Sequence, residues 1–410
     1  MEILALLVFT AGWARGQELE DYVRLALNSN PAIKAQALAY DASMQKIPQV
    51  SAWADPQVNA SLFINPMMLP MGNQLGSISV MQMFPRKNEF NIRESLISVQ
   101  ADLNRKEGRI IANDLIDKIS SVWYSLVANR EKQTLQQKNL DLLNDIRTLA
   151  EARFRQGSAS MADALRIDVL KDDIQTNLEI LLDEQASLQR QFNVLLNRDP
   201  AVPLQIPDSL ERINSGHAQN DDYGAHPQAV LLDQRSKIAD AVIETTNLSR
   251  KPVFGIGLQY TPLYRRKNAA FELPPNTGRD MIMPMATVSI PIWQKKYDAA
   301  VREQQISQDQ FAQQKEALYQ TLRQSDEELG FQQQKTLANL LKRDRQYQTT
   351  RQILDLLMVE YANGSGTMEE LLRVEQQLLN YRLEQIELKL NYHQMEAKRE
   401  MLHGNRAYNY

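Results

Sequence analysis

The sequence predicts a mainly helical protein with a minor β component, built as a tandem structural repeat. Three observations predict it. Ala54-Asp55-Pro56 opens a short alternating run that closes at Pro66, and Arg250-Lys251-Pro252 opens another that closes at Pro262 in the same register. Phe154-Arg155-Gln156-Gly157-Ser158-Ala159-Ser160-Met161 is echoed by Tyr361-Ala362-Asn363-Gly364-Ser365-Gly366-Thr367-Met368, and Asn30-Pro31 by His226-Pro227. The tracts from Pro85 to Pro200 and after Pro291 contain no internal proline. A repeat of about two hundred residues makes each half one large structural unit.

The expected organisation starts with a signal peptide over 1–16 and a first repeat over 17–204, with a strand hairpin near 56–85 and a long helical hairpin near 87–197. An inter-repeat connection over 205–224 leads to a second repeat over 225–404, with a strand hairpin near 252–292 and a helical hairpin near 294–403. A tail over 405–410 ends the chain. The leader rests on the short apolar run Ile3 to Phe9 and on Ala14-Arg15-Gly16, which place cleavage before Gln17. Glu2 is the wrong charge for such a segment, and a buried N-terminal helix is the alternative.

The strands come next. Val58, Ala60, Leu62 and Ile64 alternate with Asn59, Ser61 and Asn65; the partner strand near Ser77 to Phe84 is less clean, because Gln82 falls on its apolar side. In the second repeat Phe254, Ile256, Leu258 and Tyr260 alternate with Gly255, Gly257 and Gln259. Ala286, Val288, Ile290 and Ile292 then alternate with Thr287, Ser289 and Pro291. Period-two alternation over about 9–11 residues suits membrane-barrel strands. A water-facing β-sandwich hairpin looks the same locally. Four strands cannot close a membrane barrel, and an open edge in lipid leaves backbone groups without partners. Copies of the chain must complete it: two give eight strands filled by side chains, three give twelve and leave a lumen. A pore prefers three.

The helices carry a seven-residue beat. Ile167, Ile174, Leu181, Leu188 and Leu195 match Val374, Tyr381, Leu388, Met395 and Leu402. Leu170, Leu371 and Leu378 supply parts of the alternate position, and Gln185 breaks the seam. Heptads this long argue for coiled-coil packing. Lys87 to Arg155 makes a helix of roughly 100 Å at 1.5 Å per residue. Gly157 and Gly364 stand where each tract doubles back, because glycine accepts the left-handed cap conformation. Ser160 and Thr367 can cap the returning helices, with Asp163 and Glu370 placed as capping-box partners.

In this order and spacing these features resemble the TolC-type outer-membrane efflux channels over nearly the whole chain. Asn30-Pro31, Pro85-Arg86-Lys87, the run Val288 to Trp293 with Lys295-Lys296, and the two hairpin tips carry the resemblance. It implies a homotrimer in the outer membrane of a Gram-negative bacterium, with a twelve-strand barrel set in lipid and a coiled-coil α-barrel projecting into the periplasm. It also implies a passive gated exit duct docked to a periplasmic adaptor and an inner-membrane pump, of the resistance-nodulation-division type, exporting small toxic compounds or heavy-metal ions. The tip residues Gly157, Ser158, Met161, Gly364, Ser365 and Met368 then correspond to the adaptor-facing end. Glu370 occupies one gate acid position and Arg373 stands at the other; Asp163 and Tyr361 match two latch partners, while the basic partner position is Gly366. Helix capping explains the same acids equally well. A polypeptide-secretion duct and a soluble periplasmic coiled-coil adaptor or scaffold are the rival readings.

Other signals are bland. A net charge of −4 gives no footprint for nucleic acid. No cysteine is present, which excludes disulfides and thiolate metal sites. No phosphate loop, HExxH or triad-like constellation appears, so neither catalysis nor a cofactor is expected. Met67, Met68, Met71, Met281, Met283 and Met285 cluster beside the strand hairpins. Thioethers suit Cu(I) or Ag(I), but methionine also fills surfaces without binding anything, and the sequence favours that reading. His217, His226, His393 and His403 show no ligand spacing, and Trp53 and Trp293 suit either interfacial anchoring or packing.

Overall fold

The computed structural model describes residues 14–65, 68–69, 72–213, 222–264, 275 and 277–404. Most of the expected signal peptide, Met67, Met71, His217 and the tail therefore lie outside the described residues, as do 214–221 of the inter-repeat connection. Helices α1 (Ala14–Ser29) and α2 (Pro31–Met44) and the single turn α3 (Ile47–Val50) lead into strands β1 (Gln57–Leu62), β2 (Met68–Leu69), β3 (Gly72–Gln74) and β4 (Gly76–Phe84). Helices α4 (Glu89–Arg155) and α5 (Met161–Leu195) follow, then α6 (Pro227–Ser249), β5 (Val253–Thr261), β6 (Leu263–Tyr264), β7 (Met281–Ser289), α7 (Lys295–Ala362) and α8 (Met368–His403).

The echoed Asn30-Pro31 and His226-Pro227 pairs are helix starts. Asn30 Oδ1 accepts from the Ala32 and Ile33 amides at 2.8 and 3.2 Å, and His226 Nδ1 accepts from Gln228 at 3.3 Å. Pro31 and Pro227 sit where a helix has no use for an N–H.

Two compact units share the chain. One comprises Met1–Gln36, Glu107–Val230 and Glu316–Tyr410, the other Ala37–Lys106 and Leu231–Lys315. Each draws on both halves of the sequence. In the helical unit, Tyr22 of α1 packs on Trp123 and Phe192 with ring centroids 5.4 and 5.3 Å away, and Leu204, with Ile206 and Leu210 of the connection, closes over the same cluster. A second cluster joins Leu143, Ile146, Ile167, Ile174, Leu354, Leu371, Val374 and Leu378. The predicted seam is therefore buried at Ile167, Ile174, Leu371, Val374 and Leu378, and half-buried at Leu181, Leu188 and Leu195. Gln185, which breaks it, accepts from Gln133 Nε2 at 2.6 Å, so the polar gap is satisfied across the helices. A third, small cluster holds Tyr223, Leu322 and Leu402, beside the Arg399–Asp326 pair at 2.7 and 3.2 Å. Burial pushes the Asp326 carboxyl up, but the Arg399 guanidinium outweighs it and holds the group below the usual range.

The β unit holds a four-stranded antiparallel sheet in the order β1-β4-β5-β7. Gly76 is required where β1 meets β4, since a Cβ there would stand 2.2 Å from the Ser61 carbonyl oxygen. A small sheet, β2-β3-β6, was not anticipated from the sequence. It resumes the pairing beyond Pro262, which has no N–H to give; the Asp280 carboxylate accepts from the Leu263 amide at 3.1 Å and from Tyr260 Oη at 2.6 Å. The strand expected to reach Ile292 ends at Ser289, just before Pro291. Pro284 lies inside β7, which among the described residues pairs only with β5. Gln82, the apolar-side exception, donates to the Ala54 carbonyl at 2.8 Å.

Within the helical unit Glu375 of α8 is 5% exposed, in a cavity of about 290 Å³ lined also by Lys138, Asn139, Tyr347, Arg351 and Arg382. Burial pushes its carboxyl from 4.5 up to about 7; Asn139 pulls it partway back, although its Nδ2 makes no well-aligned hydrogen bond. Between those values the folded chain keeps a proton the unfolded chain has lost. Stability therefore falls as pH rises through the window, by about 3 kcal/mol in all. Glu375→Gln is expected to raise the thermal midpoint at pH 8 and leave it nearly unchanged at pH 5. Equal shifts at both pH values would contradict the assignment.

Candidate functional site

The two hairpin tips are the same local structure made twice. Gly157 and Gly364 have φ of +72° and +87°, the conformation in which glycine alone is unstrained. Gly157 N donates to the Phe154 carbonyl at 2.9 Å and Ser158 N to the Arg153 carbonyl at 3.0 Å. Gly364 N donates to Tyr361 at 3.1 Å and Ser365 N to Glu360 at 3.1 Å in the same pattern. Both are Schellman closures, which satisfy helix carbonyls that would otherwise be orphaned. Ser160 Oγ then accepts from Ala162 N at 3.1 Å and Thr367 Oγ1 from Glu370 N at 3.3 Å, capping α5 and α8.

The predicted reciprocal half of the capping box is replaced by ion pairs. The Asp163 carboxylate faces Arg166 at 3.4 Å, and Glu370 faces Arg373 at 3.9 Å, each one helical turn along. Arg166 also reaches Glu369 of α8 at 3.9 Å. Glu370 and Arg373 are both well exposed, so their pair contributes little to stability and leaves both charges open to water. Gly157, Ser158, Met161, Gly364 and Ser365 are exposed at the tips. Met368, expected with them, is 2% exposed and lies in the core cluster instead, because the first turn of α8 turns that side inward.

Tyr361 meets a cation that sequence spacing does not reveal. Arg153, the buried third-last residue of α4, stacks on the Tyr361 ring with its guanidinium carbon 4.3 Å from the centroid. It donates to the Tyr361 carbonyl at 2.6 Å and to the Ser158 carbonyl at 3.0 Å, so one side chain ties the first tip to the end of α7. Burial pushes the Tyr361 phenol up, the Asp163 charge adds to this, and Arg153 partly opposes it. Gly366, where the resemblance expects a basic latch residue, cannot easily carry one: a Cβ there would stand 3.0 Å from the Tyr361 nitrogen. The positive charge beside Tyr361 comes from Arg153 of the other hairpin. Beneath it Arg147 clamps Asp168 at 2.6 and 3.3 Å, holding that carboxyl below its usual range.

The sheet presents a second candidate surface. One face carries Val58, Leu62, Ile78, Val80, Phe254, Ile256, Leu258, Tyr260, Ile282 and Val288, all exposed. Trp53, 58% exposed, packs edge-on against Phe84 at 5.6 Å, and Trp293, 75% exposed, follows β7. Apolar residues are also bare along the helices, at Leu165, Val169 and Ile180 of α5 and at Ile353, Leu356 and Val359 of α7. Contiguous exposure on this scale marks interaction surfaces. No helix among the described residues is long and apolar enough to cross a membrane, and no group of three His, Cys, Asp or Glu residues among them could hold a metal.

No family model and no curated protein matches the chain by sequence. Solved structures do match it by fold. The outer membrane protein VceC of Vibrio cholerae is 13% identical, with a TM-score of 0.69 over 95% of this chain and 96% of that one. The open-state Neisseria gonorrhoeae MtrE outer membrane channel is 13% identical, with a TM-score of 0.67 over 94% and 89%. The Campylobacter jejuni CmeC outer membrane channel is 10% identical, with a TM-score of 0.63 over 95% and 86%. The chain has the fold of these outer membrane proteins, the TolC-type fold that its sequence resembles.

Arg153→Leu is expected to open the tips. Charge-assisted hydrogen bonds are each worth about 1.5–3 kcal/mol, so the Ser158, Gly364 and Ser365 amides should exchange hydrogen at least about tenfold faster. Unchanged protection at these amides would refute the tie.

Proposed function

We propose that this chain is the outer-membrane exit duct of a tripartite efflux system, acting as a homotrimer. The single observation that carries the reading is the four-stranded antiparallel sheet, whose exposed face is apolar and whose outer strands β1 and β7 each pair on one side only among the described residues. In lipid such a face is at home, but such edges are not. Three copies closing edge to edge supply twelve strands, satisfy every edge and leave a polar lumen lined by Ser, Thr and Gln. The apolar stripes of α5 and α7 suit the lateral helix contacts the same assembly requires. The fold likeness to outer membrane channels supports the reading independently.

In this reading the hairpin tips are the periplasmic end. Gly157, Ser158, Met161, Gly364 and Ser365 offer an adaptor a pair of like, exposed turns. Glu370 and Arg373 border the constriction, and Asp163, Tyr361 and Arg153 form the latch that ties the tips together. The chain supplies passage and gating; energy comes from an inner-membrane pump of the resistance-nodulation-division type, which also selects the cargo among small toxic compounds, heavy-metal ions included. A soluble periplasmic scaffold is disfavoured because it would leave the apolar sheet face in water.

Planar-bilayer recording tests the reading. The purified protein should insert and conduct, and Glu370→Ala should raise single-channel conductance at low salt by removing a long charged side chain from the narrowest ring. No conductance would defeat the duct; conductance unchanged by the substitution would defeat the gate assignment.

A further inference from the structure

The polar face of the sheet carries more than Ser, Thr, Gln and Gly. Met81 and Met83 of β4 and Met281, Met283 and Met285 of β7 share it, since they alternate with Val80, Gln82, Ile282 and Pro284. The register sets two rows across three strands: Met81, Gly257 and Met285 in one, Met83, Gly255 and Thr287 in the next. In each row the middle strand contributes a glycine. The absence of side chains there opens a trough, and the β4 sulfurs lie in it.

A Cβ at Gly255 would stand 2.5 Å from Met83 Sδ and 3.5 Å from Met81 Sδ, so both sulfurs sit over the same glycine. A Cβ at Gly257 would stand 3.0 Å from Met81 Sδ. Met81 crosses β5 entirely, and its sulfur accepts from Thr287 Oγ1 of β7 at 3.7 Å. Met285 is the row partner of Gly257 and the neighbour of Thr287 on this face, and it is the one residue of β7 that is half-buried. Two β4 thioethers thus lie over one glycine trough, and Met285 borders it from the next strand. Met283 shares its row with Gln259 and Ser79, where no glycine opens the surface, and Met281 is opposite Thr261.

We propose that Met81, Met83 and Met285 form a binding site for a soft monovalent metal ion, Cu(I) or Ag(I), held by three thioether sulfurs over Gly255 and Gly257. Neutral sulfur donors satisfy a soft monovalent ion and hold hard divalent ions poorly. The methionine stem is unbranched and adaptable, so the three sulfurs close around an ion by rotamer changes alone. The site differs from the one the sequence suggested: of that set only Met285 belongs to it, and the two β4 residues replace the rest. It stands on the sheet alone and holds whether or not the sheet lines a duct.

Full-length protein in detergent, titrated calorimetrically with silver nitrate in chloride-free buffer, tests the site. Roughly one Ag(I) per chain is expected, with X-ray absorption reporting sulfur-only coordination. Met81→Leu/Met83→Leu/Met285→Leu keeps volume and packing and should weaken binding about tenfold or more, while Met281→Leu/Met283→Leu should leave it unchanged. Absence of binding, nitrogen or oxygen donors in the absorption spectrum, or equal affinity in the first variant would each overturn the proposal. Because the wild-type spectrum decides the donor set without any substitution, misfolding of a variant does not shelter it. Bilayer conductance is a separate readout, so failure of this site and failure of the duct reading are distinguishable.

Discussion

Backbone hydrogen bonding at the sheet edges is the constraint from which the rest follows. Inside the sheet, β4 and β5 have partners on both sides, and their ladders run without a gap from Phe84 and Phe254 to Ile78 and Tyr260. The outer strands carry the same apolar side chains on the same face but lack a second neighbour among the described residues. A chain that exposes Leu62, Ile256 and Val288 on one face cannot leave the edge amides of that sheet in the same apolar medium. Either the face is covered and the edges wet, or the edges are paired and the face sits in lipid. The proposed oligomer is the second solution, and the bare helix stripes at Val169 and Leu356 are consistent with it.

At the helical end the controlling fact is that two tips with the same turn chemistry are joined by an asymmetric residue. Both turns close with a glycine at positive φ and a capped returning helix. Yet Arg153 reaches only from the first hairpin to the second, stacking on Tyr361 and bonding its carbonyl. The counterpart of Arg153 in the echoed run is Glu360, whose carbonyl takes part in the turn. Because the hydrophobic cluster of Ile146, Ile167, Leu354 and Leu371 also joins the two hairpins, the Arg153 tie can be broken without unfolding the helices around it.

Much of this was legible in the chain. Gly157 and Gly364 announced the turns, the proline-free tracts announced α4 and α7 to within a few residues, and period-two alternation located β1, β5 and the last four residues of β7, which begins at Met281 rather than Ala286. What escaped was set by distance or by local exceptions. Arg153 and Tyr361 meet across a separation of 208 residues, and no periodicity links them. Glu375 occupies a buried position of α8 and reads as a surface acid until its neighbours are known. Ile290 and Ile292 continue the alternation beyond the point where Pro291 ends the ladder. The β4 methionines drew no attention because their significance lies in the glycines of another strand. The register places Gly255 and Gly257 beneath Met83 and Met81.

The protein mass of the detergent-extracted molecule, measured by light scattering coupled to size exclusion, tests the central claim most directly. The account predicts a mass near three chains, recovered from the outer-membrane fraction only with detergent. A monomer or dimer recovered without detergent would contradict it, because the apolar sheet face would then be covered by something other than lipid and its edges by something other than neighbouring copies.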